Sequence, residues 1–171
     1  MSSLNSVASL SNKVLISLWL IIFLNPISHA FLWFYGAFGG NDGVILTVNG
    51  EQDYFSNEGY IYGYFISNIT MVAATLITWQ LIKLFKLYKD GFVFTKKNAD
   101  QYTKISYCIL IYVLFRFIES MVFSWFYSPN GFTFSIEDID VALIVMSVIV
   151  RLVAKVMHEA NELYEEQSMT I

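Results

Sequence analysis

The chain has 171 residues and a net charge of −4, with 56% hydrophobic and only 14% charged residues, whereas soluble domains carry about 25% charged residues. So few charges cannot coat a water-soluble monomer, and so many apolar side chains exclude intrinsic disorder. The single cysteine, Cys108, excludes an internal disulfide and a Cys-x-x-Cys redox pair, and two histidines are too few for a multi-histidine metal or dihaem site.

Four apolar segments predict four membrane-spanning helices, because a helix needs about 20 apolar residues to cross the hydrocarbon of a bilayer. The first two segments contain no charged residue, the third contains Arg116 and Glu119, and the fourth contains Arg151 and Lys155. The predicted spans are Val14–Phe38, Tyr60–Ile82, Ile105–Phe126 and Val141–Met157, and the last helix is expected to continue to about Tyr164.

The first segment has an alternative interpretation as a cleaved signal peptide. Lys13, the apolar run that follows it and Ser28-His29-Ala30 resemble a positive region, a hydrophobic region and a small-x-small cleavage site. We favour a span because the apolar run resumes at once at Phe31 and only one positive side chain precedes it. Pro26 predicts a kink within this helix.

The connecting segments separate positive from negative charge and so predict the topology. The segment between the second and third spans holds six lysines, whereas the other two connections hold acidic residues and neither Lys nor Arg. Because positive loops remain in the cytoplasm, both termini and the lysine-rich segment are expected there. The lysines are Lys83, Lys86, Lys89, Lys96, Lys97 and Lys104.

Turn and capping signals predict local structure in these connections. Asn49-Gly50 predicts a short external β-hairpin between the first two helices. Gly91 predicts the end of the second helix, and Thr95 predicts an N-cap for the third, starting at residue 96. Ser135 opens a capping-box pattern that predicts the start of the fourth helix near residue 136. The predicted fold is therefore all-α: a single integral membrane four-helix bundle with both termini cytoplasmic.

Charged residues inside the spans are the main candidates for a functional site. Arg116 and Arg151 each lie ten residues, about 15 Å, from the external end of their predicted span, and Glu119 follows Arg116 by one turn. Because a charge in hydrocarbon needs a partner or water, we predict that Glu119 lies between the two arginines, with His29 nearby. This cluster either joins the third and fourth helices, binds an anionic or polar ligand through its excess positive charge, or conducts protons.

The cytoplasmic side offers a second candidate surface, predicted to dock a partner. Its residues are Lys96, Lys97, Asn98, Glu162, Glu165 and Glu166. The lysines also have a simpler role, since they set topology and meet anionic lipid headgroups. Direct binding to nucleic acid is not expected, because no helix-turn-helix fits in so short a connection. The sequence contains no catalytic, metal or cofactor motif.

Two cytoplasmic segments carry patterns that point to a family. The loop Gly91-Phe92-Val93-Phe94-Thr95-Lys96-Lys97-Asn98 is similar to a Gly-x-x-Phe-Ser/Thr-x-x-Asn motif. The segment from Val153 to Ile171 is similar to a motif with an alanine, a bulky apolar residue, a small residue, Leu, an acidic pair and a terminal Thr-Ile. Together they resemble the bacterial family known as domain of unknown function 2975. The resemblance implies a four-span inner-membrane protein without established enzymatic activity, whose gene often adjoins one for a helix-turn-helix regulator.

Two classes of function follow from these patterns. The leading expectation is a non-enzymatic regulatory or scaffold protein that docks a cytosolic partner such as a helix-turn-helix regulator, with a homodimer as a reasonable assembly. The alternative is a small-ligand sensor or transporter that uses Arg116, Glu119 and Arg151. A membrane enzyme using the same group with His29 ranks third.

Overall fold

Four long helices dominate the fold. The computed structural model describes residues 2–38, 45–48, 51–54, 57–127 and 136–169, with side chains described for residues 6–35, 61–126 and 136–166. The helices are α1 (Ser2–Phe38), α2 (Asn57–Lys89), α3 (Lys96–Tyr127) and α4 (Asp138–Met169). Strands β1 (Ile45–Val48) and β2 (Glu51–Tyr54) pair antiparallel on either side of Asn49-Gly50, which lie outside the described residues.

Three of the helices are long and apolar enough to cross a membrane. The qualifying segments are Ser6–Tyr35, Ile61–Lys89 and Lys96–Phe126. In the most apolar part of each, only 17% to 22% of the residues are buried inside the protein, so most apolar side chains face outward, as in lipid. Within the described residues, α4 does not reach the same apolar length. Helix α1 continues through Pro26.

The helices pack antiparallel, each mainly against its neighbours in the chain. Between α1 and α2, the ring centroid of Trp19 lies 6.0 Å from that of Trp79, and Trp33 lies 6.5 Å from Tyr64. Residue numbers increase along α1 while those of the contacting residues on α2 decrease, as expected for antiparallel neighbours. Because the helices follow one another in chain order, α1 and α4 form the two edges of an open four-helix bundle.

Helix α3 lies between α2 and α4 and carries the apolar core of that half. The hydroxyls of Tyr88 and Tyr102 are 2.7 Å apart across α2 and α3. Ser106 and Ser147 are both buried, and their hydroxyls are 3.3 Å apart across α3 and α4. These two small residues let α3 and α4 approach closely. The core cluster beside them is Leu84, Ile105 and Ile109.

The short connection between α2 and α3 is fixed by Gly91 and Asn98. Gly91 has a φ of 81°, and the N–H groups of Gly91 and Phe92 donate to carbonyls in the last turn of α2, which makes a Schellman ending. Asn98 is fully buried; its Nδ2 donates to the Phe92 carbonyl, and its Oδ1 accepts from the Thr95 hydroxyl, both at 2.8 Å. Helix α3 begins at Lys96, as the Thr95 signal predicts.

Helix α4 begins two residues later than predicted and uses a different capping pair. The Glu137 N–H donates to Asp140 Oδ2 at 3.2 Å, and the Asp140 N–H donates to the Glu137 carbonyl at 2.9 Å. The first bond matches one half of a capping box, and the second is an ordinary backbone turn. Helix α4 thus starts at Asp138, within two residues of the predicted start near residue 136, and Glu137 is its capping residue. Ser135 lies outside the described residues.

Candidate functional site

The register between α3 and α4 sets the depth of the charged residues. Ser106 on α3 contacts Ser147 on α4. Arg116 lies ten residues after Ser106, and Glu137 lies ten residues before Ser147. These two residues form an ion pair, as the antiparallel register requires. Helix α3 then continues for eleven residues to Tyr127, about 16 Å beyond the level at which α4 begins. Helix α4 therefore starts part-way along α3, not opposite its end.

The predicted Arg116–Glu119–Arg151 cluster does not form. The prediction placed both arginines at the same depth because it assumed that the two helices end at one level. In the observed register, Arg151 lies fourteen residues beyond Glu137, about 21 Å along the helix axis from the level of Arg116. Its guanidinium lies over the Tyr107 ring, 4.8 Å from the centroid.

Arg116 binds two carboxylates from the first turn of α4. Its Nη2 donates to Glu137 Oε2 at 2.7 Å, and its Nε lies 3.2 Å from Asp140 Oδ1. The Asp140 side chain is 4% exposed, whereas that of Glu137 is 60% exposed. The Asp140 carboxylate is thus buried. Among the described residues, Arg116 is the cation that lies within 4 Å of it.

Glu119 lies on another side of α3, in a cleft of about 230 Å³ between α1, α2 and α3. Arg116 acts on Glu119 through its electrostatic field, but the two side chains form no ion pair within 4 Å in the described structure. His29 and Glu119 therefore line the same cleft, whereas neither Arg116 nor Arg151 lines it. Its polar lining comes from all three helices: Asn25, His29, Ser67, Thr70, Tyr112 and Glu119.

Two buried polar atoms in this cleft have no hydrogen-bond partner among the described residues. They are His29 Nδ1 and Thr70 Oγ1. Thr70 is 9% exposed and lies beside the Glu119 carboxylate without a hydrogen bond of good geometry. Because buried polar groups in proteins are nearly always satisfied, these atoms point to an occupant of the cleft.

The sequence contained a signal for the part of the site that the prediction missed. Ser67 and Thr70 are three residues apart on α2, and Tyr112 and Glu119 are seven apart on α3, spacings that place each pair on one helix face. Asn25 and His29 are four apart on α1. Three short polar stripes on adjacent apolar helices indicate a common polar interior.

The charge around the site is negative, opposite to the predicted excess of positive charge. Arg116 is the single guanidinium in this region of the described helices, and three carboxylates lie near it: Glu119, Glu137 and Asp140. No group of three His, Cys, Asp or Glu side chains that could hold a metal ion occurs in the described part of the chain.

The residues predicted for docking occupy two different environments. Lys96 and Lys97 are exposed at the start of α3, and Glu162, Glu165 and Glu166 are exposed near the end of α4. Asn98 has no exposed surface, so its assignment to a docking surface was wrong; its side chain closes the α2–α3 connection instead.

A larger groove of about 620 Å³ separates the start of α3 from the second half of α4. Ion pairs within α4 line one wall, with Lys155 Nζ 3.7 Å from Glu159 and His158 Nε2 3.2 Å from Glu162. By the Ser106–Ser147 register, the first residue of α3 is level with Met157. Helix α4 thus extends twelve residues, about 18 Å, beyond α3.

These features define a class: a small helical membrane protein with a polar cleft among its spans and one helix that extends beyond the others. The chain belongs to the family described as a protein of unknown function, DUF2975, whose sequence model matches residues 25–171. The resemblance to this family that the sequence predicted is thereby confirmed. No curated protein and no solved structure matches the chain.

Proposed function

We propose that this protein is a non-enzymatic regulator or scaffold of the bacterial inner membrane, and that the end of α4 docks a cytosolic partner. The observation that carries the proposal is the course of α4. The helix is held at its first turn by Arg116, deep among the apolar helices, and it extends about 18 Å beyond the start of α3. One rigid element thus connects the intramembrane charges with an exposed arm.

The proposed topology has four passes, with both termini in the cytoplasm. Lys13 on α1, Lys83 on α2, Lys104 on α3 and Arg151 on α4 lie toward the same end of the bundle, where Leu15 packs with Ile82 and Tyr88 bonds to Tyr102. A common level of cations is typical of the cytoplasmic interface. The proposed fourth pass returns the chain along α4.

The chemistry of the arm favours a partner with a basic and partly apolar face. The arm, residues 158–169, carries four glutamates: Glu159, Glu162, Glu165 and Glu166. Leu163 and Tyr164 are 59% and 74% exposed beside them. A helix-turn-helix regulator fits this chemistry, because DNA-binding domains present clustered Lys and Arg. An acidic helix on that surface would compete with DNA and keep the regulator at the membrane.

The test compares proteins that co-purify with the full-length chain from its own cells, quantified by mass spectrometry. The test variant carries Glu162→Gln, Glu165→Gln and Glu166→Gln. The matched control neutralises three carboxylates at the opposite end: Glu51→Gln, Asp53→Asn and Glu58→Gln. We expect a small basic DNA-binding protein with the wild type and the control but not with the test variant. Recovery of the same proteins from all three would refute the docking role.

A second function, ligand sensing or transport, is favoured by the cleft around Glu119. The cleft holds two buried polar atoms without a hydrogen bond of good geometry among the described residues, His29 Nδ1 and Thr70 Oγ1. The residues that would serve it are those that line the cleft.

A further inference from the structure

We propose that the cleft between α1, α2 and α3 binds a small organic ammonium ion through the Glu119 carboxylate. This binding site is separate from the docking arm of α4, and each proposal can fail without the other.

The charge of the residues around the cleft favours a cationic ligand. Glu119 is the single ionisable carboxylate in the lining of the cleft, and the guanidinium nearest to it is already bound to Glu137 and Asp140. No Lys or Arg lines the cleft. An anionic ligand would meet a carboxylate without a compensating cation, which is unfavourable where the dielectric constant is low. A cation would neutralise the charge of Glu119.

The polar atoms that line the cleft favour a ligand that donates several hydrogen bonds. His29 Nδ1 is buried without a hydrogen-bond partner among the described residues, and Thr70 Oγ1 lies beside the Glu119 carboxylate without a hydrogen bond of good geometry. A neutral imidazole nitrogen accepts a hydrogen bond as a hydroxyl oxygen does. Thr70 itself is more than nine-tenths buried. A primary ammonium group has three N–H donors, so it can serve Glu119, Thr70 and His29 at once.

The size and the walls of the cleft select an organic ion over a bare alkali metal ion. About 230 Å³ is several times the share of one water molecule, about 30 Å³. Met71 and Ala74 supply an apolar wall. An ion with a short alkyl chain uses both the carboxylate and this wall.

The test measures binding of n-butylammonium to the purified full-length protein in lipid nanodiscs at constant ionic strength. Binding is followed by calorimetry and by tryptophan fluorescence. Butyrate, 1-butanol and potassium ion serve as comparison probes, because they share the alkyl chain or the charge but not both. We expect saturable binding of n-butylammonium alone. Equal binding of potassium would show an inorganic cation site, and binding of butyrate would show an anion site; either result overturns the proposal.

The variants separate a role in binding from a role in folding. Glu119→Gln keeps the shape of the side chain, and we expect at least a tenfold loss of affinity. Thr70→Val should lose about fivefold, the value of one neutral hydrogen bond. Ala74→Leu leaves every charge in place and should abolish binding by filling the cleft. The control Glu162→Gln removes a carboxylate from the α4 arm and should bind as the wild type does.

Each outcome decides the proposal even where one variant does not fold. If Glu119→Gln cannot be purified, the loss of binding in Thr70→Val and Ala74→Leu at unchanged melting temperature supports the site. Affinity that is unchanged in the folded Glu119→Gln variant, or in both of the other two, overturns it.

Discussion

Arg116 Nη2 and Glu137 Oε2 lie 2.7 Å apart, and this contact ties the middle of α3 to the residue that caps α4. Asp140, the other carboxylate on Arg116, also accepts the Glu137 N–H. Three interactions therefore meet at the start of α4: a guanidinium with two carboxylates, the Asp140 carboxylate that accepts the N–H of the capping residue, and negative charge at the positive end of the helix dipole. Together they stabilise the first turn of α4, whose N–H groups have no carbonyl partner within the helix.

Replacing Arg116 should strongly destabilise the protein. Arg116→Gln leaves Asp140 charged, 4% exposed and without its guanidinium, and removing one partner of a buried ion pair costs about 3 kcal/mol. The measurement is thermal unfolding in detergent, with every variant heated at the same scan rate. Arg151→Gln is the control, because Arg151 is exposed and loss of its contact with the Tyr107 ring should cost no more than about 1 kcal/mol. In a double-mutant cycle, Asp140→Asn should recover part of the loss; additive effects would contradict the pairing.

The register of α3 on α4 predicts which cysteine pair will form a disulfide. In a Cys108→Ser background, Ser106→Cys with Ser147→Cys should cross-link under mild oxidation, because the hydroxyls they replace are 3.3 Å apart. Ser106→Cys with Asn161→Cys is the matched control, since it corresponds to the register in which Arg116 and Arg151 share one level. Gel mobility after thiol labelling reports the cross-link. A bond in the control pair alone would show that the equal-depth arrangement was right.

The Asn98 amide should contribute more to stability than any neighbouring lysine. Asn98→Ala removes both 2.8 Å hydrogen bonds and leaves the Phe92 carbonyl without its amide donor. Loss of a partner for a buried polar group costs about 1–3 kcal/mol. Lys97→Ala, one residue away and exposed, should change stability by less than about 0.5 kcal/mol. Equal melting temperatures for the two variants would refute the structural role of Asn98.

Much of the fold could be predicted from local patterns. The lengths of the apolar segments identified the three helices that are apolar enough to span a membrane. Gly91 marked the C-terminal end of α2 and Thr95 marked the start of α3, because each signal arises from a few neighbouring residues. The Asn98 motif was recognised as a pattern but assigned to a docking surface. Its buried amide shows that the motif serves the turn itself.

The candidate site could be predicted only in part, since it depends on how helices align. His29 and Glu119 were both named as candidate residues, and both line the cleft between α1, α2 and α3. Arg116 and Arg151 were paired wrongly because the ends of apolar runs do not reveal that α4 starts about 16 Å short of the end of α3. The register comes from contacts such as Ser106 with Ser147, which no local pattern specifies.

The topology and the membrane depth of α4 are tested by labelling single cysteines with a membrane-impermeant maleimide. In the Cys108→Ser background, Gln52→Cys should react in intact cells, whereas Lys97→Cys and Glu166→Cys should react only after permeabilisation. Val145→Cys distinguishes a membrane helix from a cytosolic one: Val145 is 52% exposed within the protein, so only lipid can shield it. We expect no labelling of Val145→Cys under either condition, since thiolate formation and reagent access both require water. Labelling after permeabilisation would place all of α4 outside the membrane and would leave the Arg116–Glu137 pair at its surface.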